Sequence, residues 1–261
     1  MSAQPSSTLD RATALTKAAL PLAVVPVLAT LLDVGKVVAM TAPRSGGGMK
    51  FPFPTGLPTL WTFTSVSTQG SGVSVVPTAT MSLVMAVPLL VVGFLLTSAL
   101  EAGFLGSLAR RAAGRRPSFS DAVTDYVVPI LVKNVLSMLS LLLALPFFVF
   151  PPLAVLVSLV VSYFIYGMPF VIVVEDVGAI DALRASVGYG KRGGAYLTYG
   201  VGFLVVGAVA SVFFTSMVYG LGLLGVLIGA VVVAVPSVFL AALGVVVFRS
   251  LSSESVPALP A

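Results

Sequence analysis

Residues 195–248 read AYLTYGVGFLVVGAVASVFFTSMVYGLGLLGVLIGAVVVAVPSVFLAALGVVVF, with no Lys, Arg, Asp, Glu or His among them. An α-helix needs roughly 20 apolar residues to cross a hydrocarbon core of ~30 Å, and this run is more than twice that long. Gly220 and Gly222 divide it. It therefore reads as two membrane helices, the first over 195–218 and the second ending near 248. Helices are required because backbone polar groups find no water in lipid. The apolar text is continuous, which excludes the alternating pattern of a transmembrane barrel.

The rest of the chain is made of the same material. Of 261 residues, 58% are hydrophobic and 9% are charged, and the mean hydropathy is +1.11. A water-soluble domain carries about a quarter charged residues. Cysteine and histidine are both absent. That removes disulfides, thiol nucleophiles, Cys/His zinc sites, haem ligation by His and imidazole catalysis. No cofactor or metal is expected, and no P-loop, HExxH, GxSxG or CxxC motif occurs.

Four more spans precede the quoted pair. The first covers 18–40, with Pro21 and Pro26 in its early turns, where proline is best tolerated. Residues 8–11 start a short interfacial helix before it. The same segment has the order of a secretory leader, charged and then apolar. Residues 39–42 make a poor cleavage site, however, and five further spans follow. The second span covers 79–100 and ends near Glu101. The third follows a helix start at Ser118, with Asp121 three residues on. Residues 118–128 read as an amphipathic helix, either on the membrane surface or as the entry to the third span, with Pro129 marking a bend between the two and the span reaching 148. The fourth covers 153–174 and ends at Glu175-Asp176. Residues 178–190 form a polar helix before the fifth.

Lysines and arginines set the orientation. With the N-terminus inside, Arg11, Lys17, Arg110, Arg111, Arg115, Arg116, Arg184, Lys191, Arg192 and Arg249 face the cytoplasm, and Arg44 and Lys50 face outward. The net charge of +5, from 14 basic against 9 acidic residues, is thus a topology signal. Nucleic acid is not an expected partner, because no basic patch is interleaved with exposed aromatics. The fold class is all-α: a polytopic protein of six transmembrane helices, N-in and C-in, with cytoplasmic interfacial helices. Its parts are a cytoplasmic N-terminal segment (1–17), a transmembrane domain (18–249) and a disordered cytoplasmic tail (250–261). Within the domain, 41–78 is an outer loop, and 102–125 and 175–194 are cytoplasmic loops. The outer loop reads as an ordered cap or small hairpin, from β-prone residues 60–66 and 73–76 around a glycine-rich turn. A floppy loop is the alternative. Trp61 and the nearby phenylalanines are placed at headgroup level.

Leu9-Asp10, Phe119-Ser120-Asp121-Ala122 and Ile180-Asp181-Ala182 each precede an odd-numbered span. They suggest three units, each a surface helix leading into a helical hairpin. The stretch Pro169-Phe170-Val171-Ile172-Val173-Val174-Glu175-Asp176-Val177-Gly178-Ala179-Ile180-Asp181-Ala182-Leu183-Arg184-Ala185-Ser186 resembles the fourth span and following loop of a prokaryotic group of six-helix membrane proteins. That group includes the glycerophosphoryl diester phosphodiesterase membrane domain and related haloarchaeal families of unknown function. Gly103-Phe104-Leu105-Gly106-Ser107 and Ser118-Phe119-Ser120-Asp121-Ala122 fit the same pattern after the second span. The likeness runs from about 81 to 248 and implies the fold and a membrane location. It does not imply hydrolysis, which in that architecture belongs to a separate domain with histidines and metal-binding acids.

Ionisable residues inside spans cost at least ~2.5 kcal/mol at mid-depth and so mark candidate sites. Glu101, Lys133, Asn134, Glu175 and Asp176 form a candidate polar vestibule at the cytoplasmic ends of the helices, with Lys133 pairing to Glu101 or Glu175. The bland alternative is a snorkelling lysine and helix-end acids in headgroup water. Asp33 and Lys36 share a helix face as a local ion pair. Arg110, Arg111, Arg115, Arg116, Arg184, Lys191 and Arg192 are candidate contacts to anionic lipid headgroups, or serve topology alone. Gly225-x-x-x-Gly229 permits close helix packing within the monomer or across a dimer. The first functional expectation is a non-enzymatic multi-pass protein of the cell membrane that organises lipid or protein partners. The alternative is a small transporter or channel subunit built around Lys133. A lipid enzyme using Glu175-Asp176 ranks third.

Overall fold

A computed structural model describes residues 7–40, 48–65, 83–142 and 150–255. Ser7 opens the first helix, α1 (Thr8–Ala18), with a capping box. Its Oγ accepts from the Asp10 amide at 3.1 Å, and its own amide donates to Asp10 Oδ2 at 3.2 Å. This satisfies donors that the first helical turn leaves unpaired. The chain then bends by 79° into the stretch Leu20–Leu32, which consists of a 3₁₀ turn (Leu20–Ala23) and α2 (Val24–Leu32). Asp33 ends α2 and caps α3 (Val34–Ala39). Its carboxylate accepts from the Lys36 amide at 3.3 Å and from Lys36 Nζ at 2.5 Å, so the expected local ion pair is present.

After a short turn of helix, α4 (Leu60–Phe63), the long elements follow: α5 (Leu83–Ala112), α6 (Phe119–Leu142), α7 (Pro151–Ile165), α8 (Met168–Glu175), α9 (Ala179–Arg192), α10 (Ala195–Leu221) and α11 (Leu223–Ser255). Among the described residues, five stretches are long and apolar enough to cross a membrane, or six if the bent α1–α2 pair is counted as one broken span. No strand occurs among the described residues.

The C-terminal helix α11 is the hub and packs against α1, α2, α4, α5, α8 and α10. Small residues permit this. A Cβ at Gly229 would meet Met217 Cε at 2.7 Å and Leu60 Cδ1 at 2.9 Å, and one at Gly225 would strike the Met217 carbonyl. The Gly225-x-x-x-Gly229 seam is therefore used inside the monomer, against α10. The pair α5 and α6 packs along its length, with Gly106 making room for Ala122 and the Tyr126 ring. At the joint between α7 and α8, Tyr163, Tyr166, Phe170, Tyr196, Tyr199 and Phe248 form one aromatic cluster, with neighbouring ring centroids 4.4–6.4 Å apart.

Several expectations need correction. Residues 102–125 are not a loop: α5 runs on to Ala112 and α6 starts at Phe119. The run 101–109 is buried, and that burial holds helix past Glu101. Helix α6 runs continuously from Phe119 through Pro129, so residues 118–128 are the entry to the third span, one of the two alternatives above, and separate helices stand before the first and fifth spans as α1 and α9. The fourth span is one candidate crossing, Pro152–Glu175, as expected, but it carries a two-residue turn at Tyr166-Gly167, where any side chain on Gly167 would meet Ser186, Tyr196 and Phe248. The tail is helical as far as Ser255. Residues 60–63 are helical instead of β, and the second half of the expected hairpin, 66–77, lies outside the described residues.

Candidate functional site

The segment 48–65 is ordered and packed against the helices. It is a hairpin inserted into the bundle. At its base a Cβ on Gly48 would collide with Ser65 Oγ. The descending arm is Phe51-Pro52-Phe53-Pro54-Thr55-Gly56-Leu57-Pro58. Its three prolines carry no N–H, so fewer backbone donors enter the apolar interior unpaired. The Lys50 amide donates to Ser211 Oγ at 2.9 Å. Pro52 fills the gap left by Gly207. Phe53 stacks on Tyr166 at 6.2 Å, and Tyr166 lies against Gly200. These contacts step down α10 from Ser211 to Gly200, a descent of about 16 Å at 1.5 Å per residue.

The returning arm is fastened by hydrogen bonds. The Leu60 amide donates to Thr30 Oγ1 at 3.2 Å, and Trp61 Nε1 donates to the Thr30 carbonyl at 2.7 Å. The Ser65 amide donates to Thr215 Oγ1 at 2.9 Å. Lys50 Nζ donates to the Trp61 carbonyl at 2.9 Å and ties the two arms together. Burial of the ammonium, and secondarily the Lys36 charge nearby, push Lys50 down to about 8, although much of the residue's surface remains open. Trp61 and Phe63 are buried within the protein.

The hairpin tip lands on a charged cluster. A Cβ on Gly56 would collide with Glu101 Oε1 and Leu105, and would meet Pro169 Cβ at 3.0 Å. Lys133 Nζ donates to Glu101 Oε1 at 2.8 Å and to Oε2 at 2.9 Å. Asn134 Nδ2 donates to Ser98 Oγ at 2.9 Å and to Glu101 Oε2 at 3.3 Å. Glu101 and Lys133 are 7% and 8% exposed, too little for either to be solvated by bulk water. Glu101 is the nineteenth of the 30 residues of α5, and Lys133 the fifteenth of the 24 of α6. The cluster is therefore in the middle of the bundle, and neither snorkelling nor helix-end hydration describes it.

Of the five vestibule candidates, Glu101, Lys133 and Asn134 come together. Glu175 and Asp176 stand apart. Tyr189 donates to Glu175 Oε1 at 2.5 Å. Asp176 takes a left-handed conformation, φ 57°, and its carboxylate lies beside Tyr126. Tyr126 lies seven residues before Lys133, about 10 Å along α6. Ser98 and Gly56 were missed by sequence reasoning. A glycine amid alternating prolines was the available signal for close backbone approach, but it does not say what is approached.

The arginines divide in the same way. Arg110 pairs with Asp125 and lies 3.6 Å from Asp121, joining α5 to α6. Arg111 NH1 donates to the Ala18 carbonyl at the end of α1. Arg115, Arg116, Arg184, Lys191 and Arg192 are more open. Of these, Arg184 pairs with Asp181 at 3.0 Å, and Arg192 lies 5.8 Å from the Tyr189 ring centre. Chemically, the central cluster offers a carboxylate, an ammonium, an amide and a hydroxyl within one hydrogen-bonded group. Its meaning rests on the chain's own geometry, because no family model, no curated protein and no solved structure matches this chain.

Proposed function

We propose that this chain is a multi-pass protein of the cell membrane, N-in and C-in, that acts as a small transporter or channel subunit. The Glu101–Lys133 pair is its polar centre. One observation carries the reading: a bidentate ion pair at mid-bundle lies directly under non-helical chain. Burying both charges is costly, and a well-packed apolar pair of similar volume is often as stable or more so. Ionisable groups at such depth mark ion and substrate pathways. Non-helical backbone at membrane depth is tolerated where it is covered by protein or lines a water-filled cavity. The six-helix plan of the group resembled above belongs to this proposal, with no enzymatic step. The open arginines on α9 and after α5 are the proposed anionic-lipid contacts.

The chain has no cysteine, so single cysteines report cleanly. Ile130→Cys and Ser137→Cys flank Lys133 on one helical face, whereas Val135 points outward. In liposomes, a membrane-impermeant thiol reagent is expected to label Ile130→Cys and Ser137→Cys from one side, and to leave Val135→Cys unlabelled. Protection of both inward positions would replace this proposal with a packed organiser of lipid or protein partners.

A further inference from the structure

The hairpin tip and the ion pair together define a ligand class. Opening a buried ion pair leaves two unpartnered charges, which is strongly unfavourable. A singly charged solute repairs one and strands the other. A solute carrying both signs repairs both: its anionic group takes Lys133, and its cationic group takes Glu101. The tip is built to give way. Among the described residues, no hydrogen bond ties Phe51–Pro58 to the helices. The anchors lie instead at Lys50 and on the returning arm. Thr55, beside the buried Gly56, is exposed. The tip therefore occupies the space over the Glu101 carboxylate through packing contacts alone.

We propose that the space filled by the hairpin tip is a binding site for a zwitterion, reached when the tip withdraws. This deepens the transport reading and rests on the same centre. The chemistry fits a free amino acid or a zwitterionic lipid headgroup equally.

The test measures the unfolding midpoint of the full chain in an uncharged maltoside detergent. Glycine and glycerophosphoethanolamine are the zwitterionic probes, with acetate and ethylammonium as singly charged controls. A zwitterion at about ten times its dissociation constant should raise the midpoint by roughly 3–5 °C, and the controls should not. A response to glycine assigns a free solute, and a response to glycerophosphoethanolamine alone assigns a headgroup. The double variant Glu101→Gln/Lys133→Met keeps an uncharged pair and should lose the shift. A second variant, Pro52→Cys/Gly207→Cys, ties the hairpin to α10 when oxidised. It should respond to the zwitterion when reduced and not when oxidised. The proposal is overturned if neither zwitterion shifts the midpoint, or if the shift survives in the double variant or in the oxidised pair. Zwitterion binding combined with protected cysteines around Lys133 would keep the site and remove the transport reading. Labelled cysteines without zwitterion binding would do the reverse.

Discussion

The ion pair is where one residue matters most. Lys133→Met leaves Glu101 buried without its cation, and loss of one partner of a buried pair costs about 3–5 kcal/mol. The unfolding midpoint in detergent should fall sharply. The double variant Glu101→Gln/Lys133→Met should recover much of that loss, since no unpaired charge remains. A double variant no more stable than the single one would mean that the pair is not the destabilised element. Gly56 is the second sensitive point. Its missing Cβ is the space for Glu101 Oε1 and Leu105, so Gly56→Ala is an overpacking change expected to cost roughly 1–3 kcal/mol. The same substitution at Gly178, where a Cβ meets nothing within 4 Å, should leave the midpoint nearly unmoved.

At the scale of elements, the hairpin depends on Thr30, which receives both Trp61 Nε1 and the Leu60 amide. Trp61→Phe keeps the apolar bulk and strands a buried carbonyl, at a cost of about 1–3 kcal/mol. Limited proteolysis should then cut within 48–65 faster than in the parent protein. Lys50 adds a pH dependence. Its amine is held near 8 in the folded chain and at its ordinary, higher value when unfolded. Between these values the unfolded chain binds more protons, so stability rises with pH through that window and the penalty is complete below about 8. Lys50→Met should flatten that rise in unfolding midpoints measured from pH 7 to pH 10. The hairpin also shows where local reading failed. Leu60, Trp61 and Phe63 have β-prone side chains, yet they form a helical turn capped by Thr59. What decides their conformation is the packing of Leu60 on Gly229 and of Phe63 on Phe203.

Across the whole molecule, the proposed six crossings would return both termini to one side. Cysteines at Ser7 and Ser253 should be labelled from the same face of sealed liposomes, and one at Met49 from the other. Labelling of Ser7→Cys and Ser253→Cys from opposite faces would show an odd number of crossings, with the α1–α2 pair lying on the surface.

The apolar runs and the paucity of charge were sufficient to specify long helices, because burial of a segment that cannot be solvated outweighs local preference. Residues 8–11 and Ser118 announced helix starts that the structure confirms, because caps act within one turn of chain. The sequence also placed Glu101, Lys133 and Asn134 among the polar candidates, since ionisable residues in apolar text stand out. Three things it could not decide. Glu101 reads as a helix end, but helix persists to Ala112 because the far side of that turn is covered by other elements. Glu175 and Asp176 looked like members of the cluster, but their partners, Tyr189 and Tyr126, are set by how α8 meets α9 and α6. The proline-rich segment at 51–58 looked external. Only the tertiary structure shows the gaps that receive the hairpin, at Gly207 on α10 for Pro52 and at Gly229 on α11 for Leu60. Local chemistry fixes which segments become helix. Which side chains meet at depth depends on contacts between residues 30 to 161 positions apart, and no window of sequence contains them.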